Sequence, residues 1–130
     1  MSQEKGEYLR KIVRQRLIEV AKKGSTINYK AIYQPLGIAR GGHPNAKSTI
    51  GNIVGDISKS EYSNKRPLLS SIVVHKTDGY PAGNFFGLNG IPEQLQRDEK
   101  DYRKPLTSKE KEFVKEEQKR VWDYWKKHYA

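Results

Sequence analysis

The chain has 130 residues, a length that favours one domain over two. Its 25 Lys and Arg against 15 Asp and Glu give a net charge of +10, which points to a polyanionic partner, nucleic acid first, rather than an acidic or neutral one. Cysteine is absent, so a disulfide framework, a thiolate zinc site and a cysteine nucleophile are all excluded.

With only His43, His75 and His128 and no HExxH pattern, a metal site would rest mostly on carboxylates. The expectation is neither metal nor cofactor. No apolar run approaches the ~20 residues that span a bilayer, and the opening MSQEKGEYLR lacks the hydrophobic segment of a secretory signal. A monomeric cytoplasmic protein without membrane contact is expected, associated with the nucleoid or nuclear according to the organism. The charge is uneven: residues 1–60 carry eleven basic and four acidic side chains, residues 61–92 three and two, and residues 93–130 eleven and nine. The binding face is therefore expected in the first half, while the mixed signs of the last third resemble a solvated helix surface.

From Tyr8 to Lys23, Leu9, Ile12, Val13, Leu17, Val20 and Ala21 follow the i, i+3, i+4 spacing of an amphipathic helix that Gly24 ends. Its cations, among them Arg10, Lys11 and Arg14, lie off the apolar stripe, either approaching phosphate or keeping the helix soluble. Asn28 offers a cap for a short second helix, Tyr29 to Gln34, that Pro35 and Gly37 close. Residues 39–44 read as a glycine-rich loop. Ile50, Ile53, Val54 and Ile57 then define a third helix from about Ala46 to Ser58. Gly51 and Gly55 within it each cost about 1 kcal/mol against alanine. They therefore imply close approach, by another helix or by a nucleic-acid backbone.

Beyond Pro67 the pattern changes. Leu68 to His75 is rich in β-branched residues and precedes the turn signal Thr77-Asp78-Gly79, after which residues 84–88 can return as a second strand. A hairpin with Lys76 near its tip is expected. Residues 91–104 read as a polar, partly helical connector. Thr107 and Glu110 match a capping box that opens a long last helix. In that helix Glu116 and Arg120 are spaced as an ion pair, and Trp122 and Trp125 serve as core anchors. The fold class that results is α+β: a winged helix-turn-helix with a small β-hairpin wing and a long C-terminal helix. Residues 1–92 would form the DNA-binding domain, and residues 93–130 a connector and amphipathic helix packed on it.

Four of these pieces, in order, resemble the DNA-binding domain of the O6-alkylguanine-DNA alkyltransferases and alkyltransferase-like proteins. They are Thr26-Ile27-Asn28-Tyr29-Lys30-Ala31-Ile32, Asn45-Ala46-Lys47-Ser48-Thr49-Ile50-Gly51-Asn52, Pro67 with its apolar run, and Asp78-Gly79 followed by Gly83-Asn84-Phe85-Phe86-Gly87-Leu88. The likeness spans about residues 8–92. It departs from the family where the reaction occurs, because Pro67-Leu68-Leu69-Ser70 stands where the family has Pro-Cys-His-Arg. Leucine has no nucleophilic atom, so alkyl transfer is excluded. Ser48 stands where the family's base-replacing arginine is found. What the resemblance implies is a way of holding duplex DNA: Tyr29 near a phosphate or sugar, with Lys47, Ser48 and Asn52 entering the minor groove, whose hydrogen-bond code is degenerate. Tyr29 has an ordinary alternative, packing its ring and wetting its hydroxyl.

The function expected is non-catalytic binding of duplex DNA, mainly through phosphates and with weak sequence specificity. Lys30, Lys47, Lys59, Lys65, Arg66 and Lys76 would supply charge, Ser48 and Asn52 hydrogen bonds near base or sugar edges, and Tyr29 would lie near a phosphate or sugar as the resemblance implies. Two other classes stand beside it. A metal-dependent nuclease would use Glu61 with Asp56, which otherwise serve as surface charges or as partners for Lys59 and Lys65. A protein-interaction or inhibitor module would use the aromatic stripe of the last helix.

Overall fold

A computed structural model describes residues 3–35 and 46–128, with side chains from 7–35 and 50–128. Helix α1, Gln3–Lys22, starts five residues before its expected Tyr8 and buries Leu9, Val13, Leu17, Val20 and Ala21 of the expected stripe, with Ile12 half-buried. Its end is a Schellman motif. Gly24 takes a left-handed φ of +66°, its N–H reaches the Ala21 carbonyl at 2.9 Å, and the Ser25 N–H reaches Val20 at 3.2 Å. Strand β1 is only Ile27–Asn28, and Asn28 then caps α2, Tyr29–Tyr33, by accepting the Ala31 N–H at 2.9 Å. The expected loop 39–44 lies outside the described residues. Helix α3, Ala46–Ser63, buries Ile50, Ile53, Val54 and Ile57.

Helix α3 runs five residues past its expected end at Ser58, because its last stretch is held by polar groups that hydrophobic spacing does not reveal. Ser58 and Glu61 are both wholly buried. Lys65 then closes the helix with φ 60°, its N–H on the Tyr62 carbonyl and that of Arg66 on Glu61, a second Schellman motif without glycine.

The expected hairpin is absent from the described residues. Leu69–Ile72 forms a 3₁₀ helix, and only Val73–Val74 is strand β2, paired in parallel with β1 through Ile27↔Val73 and Asn28↔Val74. Residues 84–88, expected as the returning strand, belong largely to a second 3₁₀ helix, Gly83–Gly87. The reason lies in where the backbone groups go. The Leu68 N–H meets Glu117 Oε2 at 2.8 Å, the Ser70 N–H meets Ser58 Oγ at 3.0 Å, and the Ser71 carbonyl accepts from Gln118 Nε2 at 2.9 Å. Side chains of α3 and of the last helix thus take the place of a neighbouring strand. Leu68 through Val74 are all buried, so this run crosses the core instead of standing out as a wing. The turn at Thr77-Asp78-Gly79 does form, closed by the His75 N–H on the Tyr80 carbonyl at 2.9 Å.

The connector contains two short 3₁₀ turns, Glu93–Leu95 and Glu99–Asp101, gathered around Arg97. Its guanidinium donates to both oxygens of Glu110 at 2.6 Å and to the carbonyls of Asp101, Lys104 and Pro105 at 2.8–3.0 Å. Glu110 also completes the predicted capping box of α4, Ser108–His128, accepting the Thr107 N–H at 2.8 Å while its own N–H reaches Thr107 Oγ1 at 3.1 Å. Burial alone would raise the Glu110 carboxyl, but the hydrogen bonds from Arg97 and Thr107 outweigh it and hold the group below its ordinary value.

Helix α4 contributes to two apolar clusters. Val121 and Trp125 join the stripes of α1 and α3, whereas Val114 packs with Leu68, Phe85, Phe86 and Ile91. Trp125 is the expected anchor, buried beneath the Arg14 guanidinium; Trp122 stays half-buried and donates its indole N–H to the Ser25 carbonyl at 2.8 Å. Arg120 pairs with Glu117 at 2.8 Å instead of the expected Glu116, which is exposed. The result is a mostly helical small domain with a two-stranded parallel sheet and a long C-terminal helix. Among the described residues no helix is long and apolar enough to cross a membrane.

Candidate nucleic-acid interface

Gly51 and Gly55 lie one turn apart on α3 and face a cleft of about 450 Å³. Among the described residues neither glycine is pressed by another α-helix: an added Cβ would meet Asn84 Nδ2 at 4.0 Å from Gly51 and Leu88 Cδ2 at 3.9 Å from Gly55, ordinary contact distances. Of the two close approaches the sequence allowed, packing against a helix is therefore not seen among the described residues. The glycines leave the cleft floor bare. Around them stand Tyr29, Asn52, Lys59, Ser70, Asn84 and Tyr102, with Asp56 also on the wall.

The wall opposite α3 is built by the Gly83–Gly87 turn and the connector. A Cβ on Gly83 would collide with the Tyr102 carbonyl oxygen, and one on Gly87 with the Tyr102 hydroxyl. Both glycines are thus required by the approach of Tyr102, a residue outside the span that carries the family resemblance. Ser70, at the margin of the cleft, accepts the Ser58 hydroxyl at 2.7 Å.

A second depression, also about 450 Å³, is lined by Asn28, Tyr29, Lys30, Tyr33, His75 and Lys76 among others. It shares Tyr29 with the cleft. The Tyr29 hydroxyl accepts the Ala82 N–H at 3.2 Å, and its ring lies 5.3 Å from that of His75. Burial pushes the phenol pKa up and Asp78 adds to this, against the opposing Ala82 hydrogen bond, so Tyr29 is a neutral phenol at ordinary pH.

Of the nine residues expected to meet a polyanion, Tyr29, Lys30, Asn52, Lys59 and Lys76 line these two adjoining depressions. Lys65 and Arg66 line neither. Lys65 is exposed in its left-handed cap, and Arg66 is turned to Glu61, its Nε 2.7 Å from Oε2. Lys47 and Ser48 fall in the first turn of α3, where side chains lie outside the described residues.

Glu61, the carboxylate considered for metal-assisted hydrolysis, is wholly buried, with Arg14 on Oε1 at 3.0 Å and Arg66 on Oε2. It is neither a surface charge nor a partner of Lys65. Asp56 instead borders the cleft and approaches Arg10 at 3.8 Å, while Asp78 accepts the Tyr80 N–H at 2.9 Å. Among the described residues no group of three or more His, Asp or Glu is placed to hold a metal ion. Sequence reasoning missed Asn84, Tyr102 and His75 as lining residues. The spacing of Gly83 and Gly87 hints that something lies against them, but nothing in the sequence identifies Tyr102.

No protein-family model, curated protein or solved structure matches this chain.

Proposed function

We propose that the protein binds duplex DNA without chemical reaction, in the manner of the alkyltransferase-like proteins that its middle segments resemble. The observation that carries this reading is the pair of adjoining depressions sharing Tyr29, with Lys30 and Lys76 bordering one and Asn52 and Lys59 the other. Their separate positions in the sequence converge in space, and the net charge of +10 favours a phosphate ribbon as the occupant. The bare floor at Gly51 and Gly55 admits a sugar-phosphate edge, and the amides of Asn52 and Asn84 supply donors and acceptors beside it. Asp56 and Glu61 do not form a convergent carboxylate pair, which favours binding over metal-assisted hydrolysis.

Fluorescence anisotropy with a labelled 20-base-pair duplex tests the reading across a salt series. If about five phosphates are neutralised, log affinity falls against log salt with a slope of about −4.5, several hundred-fold between about 50 and 200 mM. Lys30→Ala with Lys76→Ala lowers the slope by about 2 and weakens binding to unrelated duplexes alike. A slope near zero refutes the proposal.

A further inference from the structure

The Arg97 side chain is only 9% exposed, although it belongs to a polar connector where a long cation ordinarily lies in solvent. Its bonds converge on one place. The Arg97 N–H meets the Phe86 carbonyl at 2.9 Å and its guanidinium lies 5.8 Å over the Phe86 ring, which ties the connector to the Gly83–Gly87 turn. The same guanidinium joins Glu110 of α4 to the carbonyls of Asp101, Lys104 and Pro105, which bracket Tyr102 in the chain. The Tyr102 N–H reaches the Glu99 carbonyl at 3.2 Å, and Asp101 holds Lys104 at 2.9 Å. One half-buried tyrosine is thus fixed from both sides. Its carbonyl fits against Gly83 and its hydroxyl against Gly87, positions at which any Cβ would displace it. Gly87 and Tyr102 line the same cleft as Gly51 and Gly55, so this clamp delivers a phenol hydroxyl to the wall beside the bare floor.

We infer that Tyr102 is a DNA contact whose hydroxyl hydrogen-bonds a phosphate or sugar oxygen of the strand lying along Gly51 and Gly55, and that Arg97 is a positioning residue acting through it. Tyrosine is among the neutral side chains that reach the backbone of a duplex, and such a contact fixes register without reading sequence. It also neutralises no charge. The connector is then part of the binding surface, although it lies beyond the segments that resemble the alkyltransferase-like proteins. The inference rests on the proposed binding of duplex DNA and adds to it a contact that the resemblance does not supply.

Anisotropy with the labelled duplex, measured across the salt series well below Tm, tests this. Tyr102→Phe keeps the ring and should weaken binding about fivefold, the effect of one hydrogen bond, with the log–log slope unchanged because no cation is lost. Arg97→Lys releases the connector and Gly87→Ala displaces the hydroxyl. Each should weaken binding at least as much in the wild-type background, and neither should weaken it further in the Tyr102→Ala background. A general loss of structure would add in that background, so the coupling separates positioning from stability. Where Arg97→Lys does not fold, Tyr102→Phe and the Gly87 pair carry the test. Salt-dependent binding that is equal in Tyr102→Phe and wild type, a shallower slope in Tyr102→Phe, or additive losses in the double variants overturns the inference and leaves DNA binding standing. Absence of salt-dependent binding in the wild-type protein overturns both.

Discussion

Glu61→Gln separates a structural from a chemical role for the most deeply buried carboxylate. The side chain is wholly buried, and its oxygens receive Arg14 Nε and Nη2 at 3.2 and 3.0 Å and Arg66 Nε at 2.7 Å. Glutamine keeps the volume but removes the charge and turns one acceptor into a donor that faces a guanidinium. Breaking a fully buried pair costs about 3–5 kcal/mol. Here the arginine side chains are 32% and 24% exposed, so water recovers part of the loss. The expected cost is about 2–3 kcal/mol. With an unfolding entropy of about 2.1 cal/mol/K per residue, a chain of this length gains about 0.27 kcal/mol/K, so Tm falls by about 7–11 °C. Thermal melting followed by circular dichroism at low and high salt measures this. Because the carboxylate is out of water, the loss should persist in high salt. Duplex binding well below Tm should be unchanged, and plasmid incubated with Mg²⁺ or Mn²⁺ should remain intact with either protein. A fall of less than about 2 °C, or one abolished by salt, would show that the arginines gain little from Glu61. Cleavage by the wild-type protein that disappears in Glu61→Gln would overturn the non-catalytic reading.

Gly55→Ala should raise stability by about 0.5–1 kcal/mol, since the new methyl meets only Leu88 at an ordinary distance, yet weaken duplex binding by occupying the cleft floor. Unchanged affinity with a higher Tm would remove the glycines from the site. Lys65→Gly should stabilise the protein by about 1 kcal/mol, because the cap at φ 60° strains any residue with a Cβ; a lower denaturation midpoint in urea would contradict this. For Glu110, a carboxyl held below its ordinary 4.5 contributes stability that is fully present above that pH and is lost as pH falls through its lower folded value. Urea titrations between pH 7 and 3 should show this acid limb, flattened in Glu110→Gln; equal slopes in the two proteins would count against it.

The sequence alone determined the parts whose cause is local. The stripes of α1 and α3, the Asn28 cap, the Gly24 stop and the Thr107–Glu110 box each need only residues within one or two turns of each other, so spacing reveals them. Net charge likewise follows from composition. Of the strand expected from Leu68 to His75 only Val73–Val74 forms, while Leu69–Ile72 is a 3₁₀ helix, because β-branched residues report burial as readily as strand pairing. Only the folded chain brings Glu117, Gln118 and Ser58 to its backbone groups, and sequence separations of 49, 47 and 12 residues leave no periodic trace. The same holds for the two depressions. A parallel pair of two-residue strands brings Tyr29 against His75 and into one lining with Lys76, and Tyr102 closes the cleft from a connector whose composition reads as ordinary polar surface. Tertiary packing decided those meetings, because hydrogen bonds and ion pairs between distant residues are satisfied in three dimensions and carry no signature along the chain.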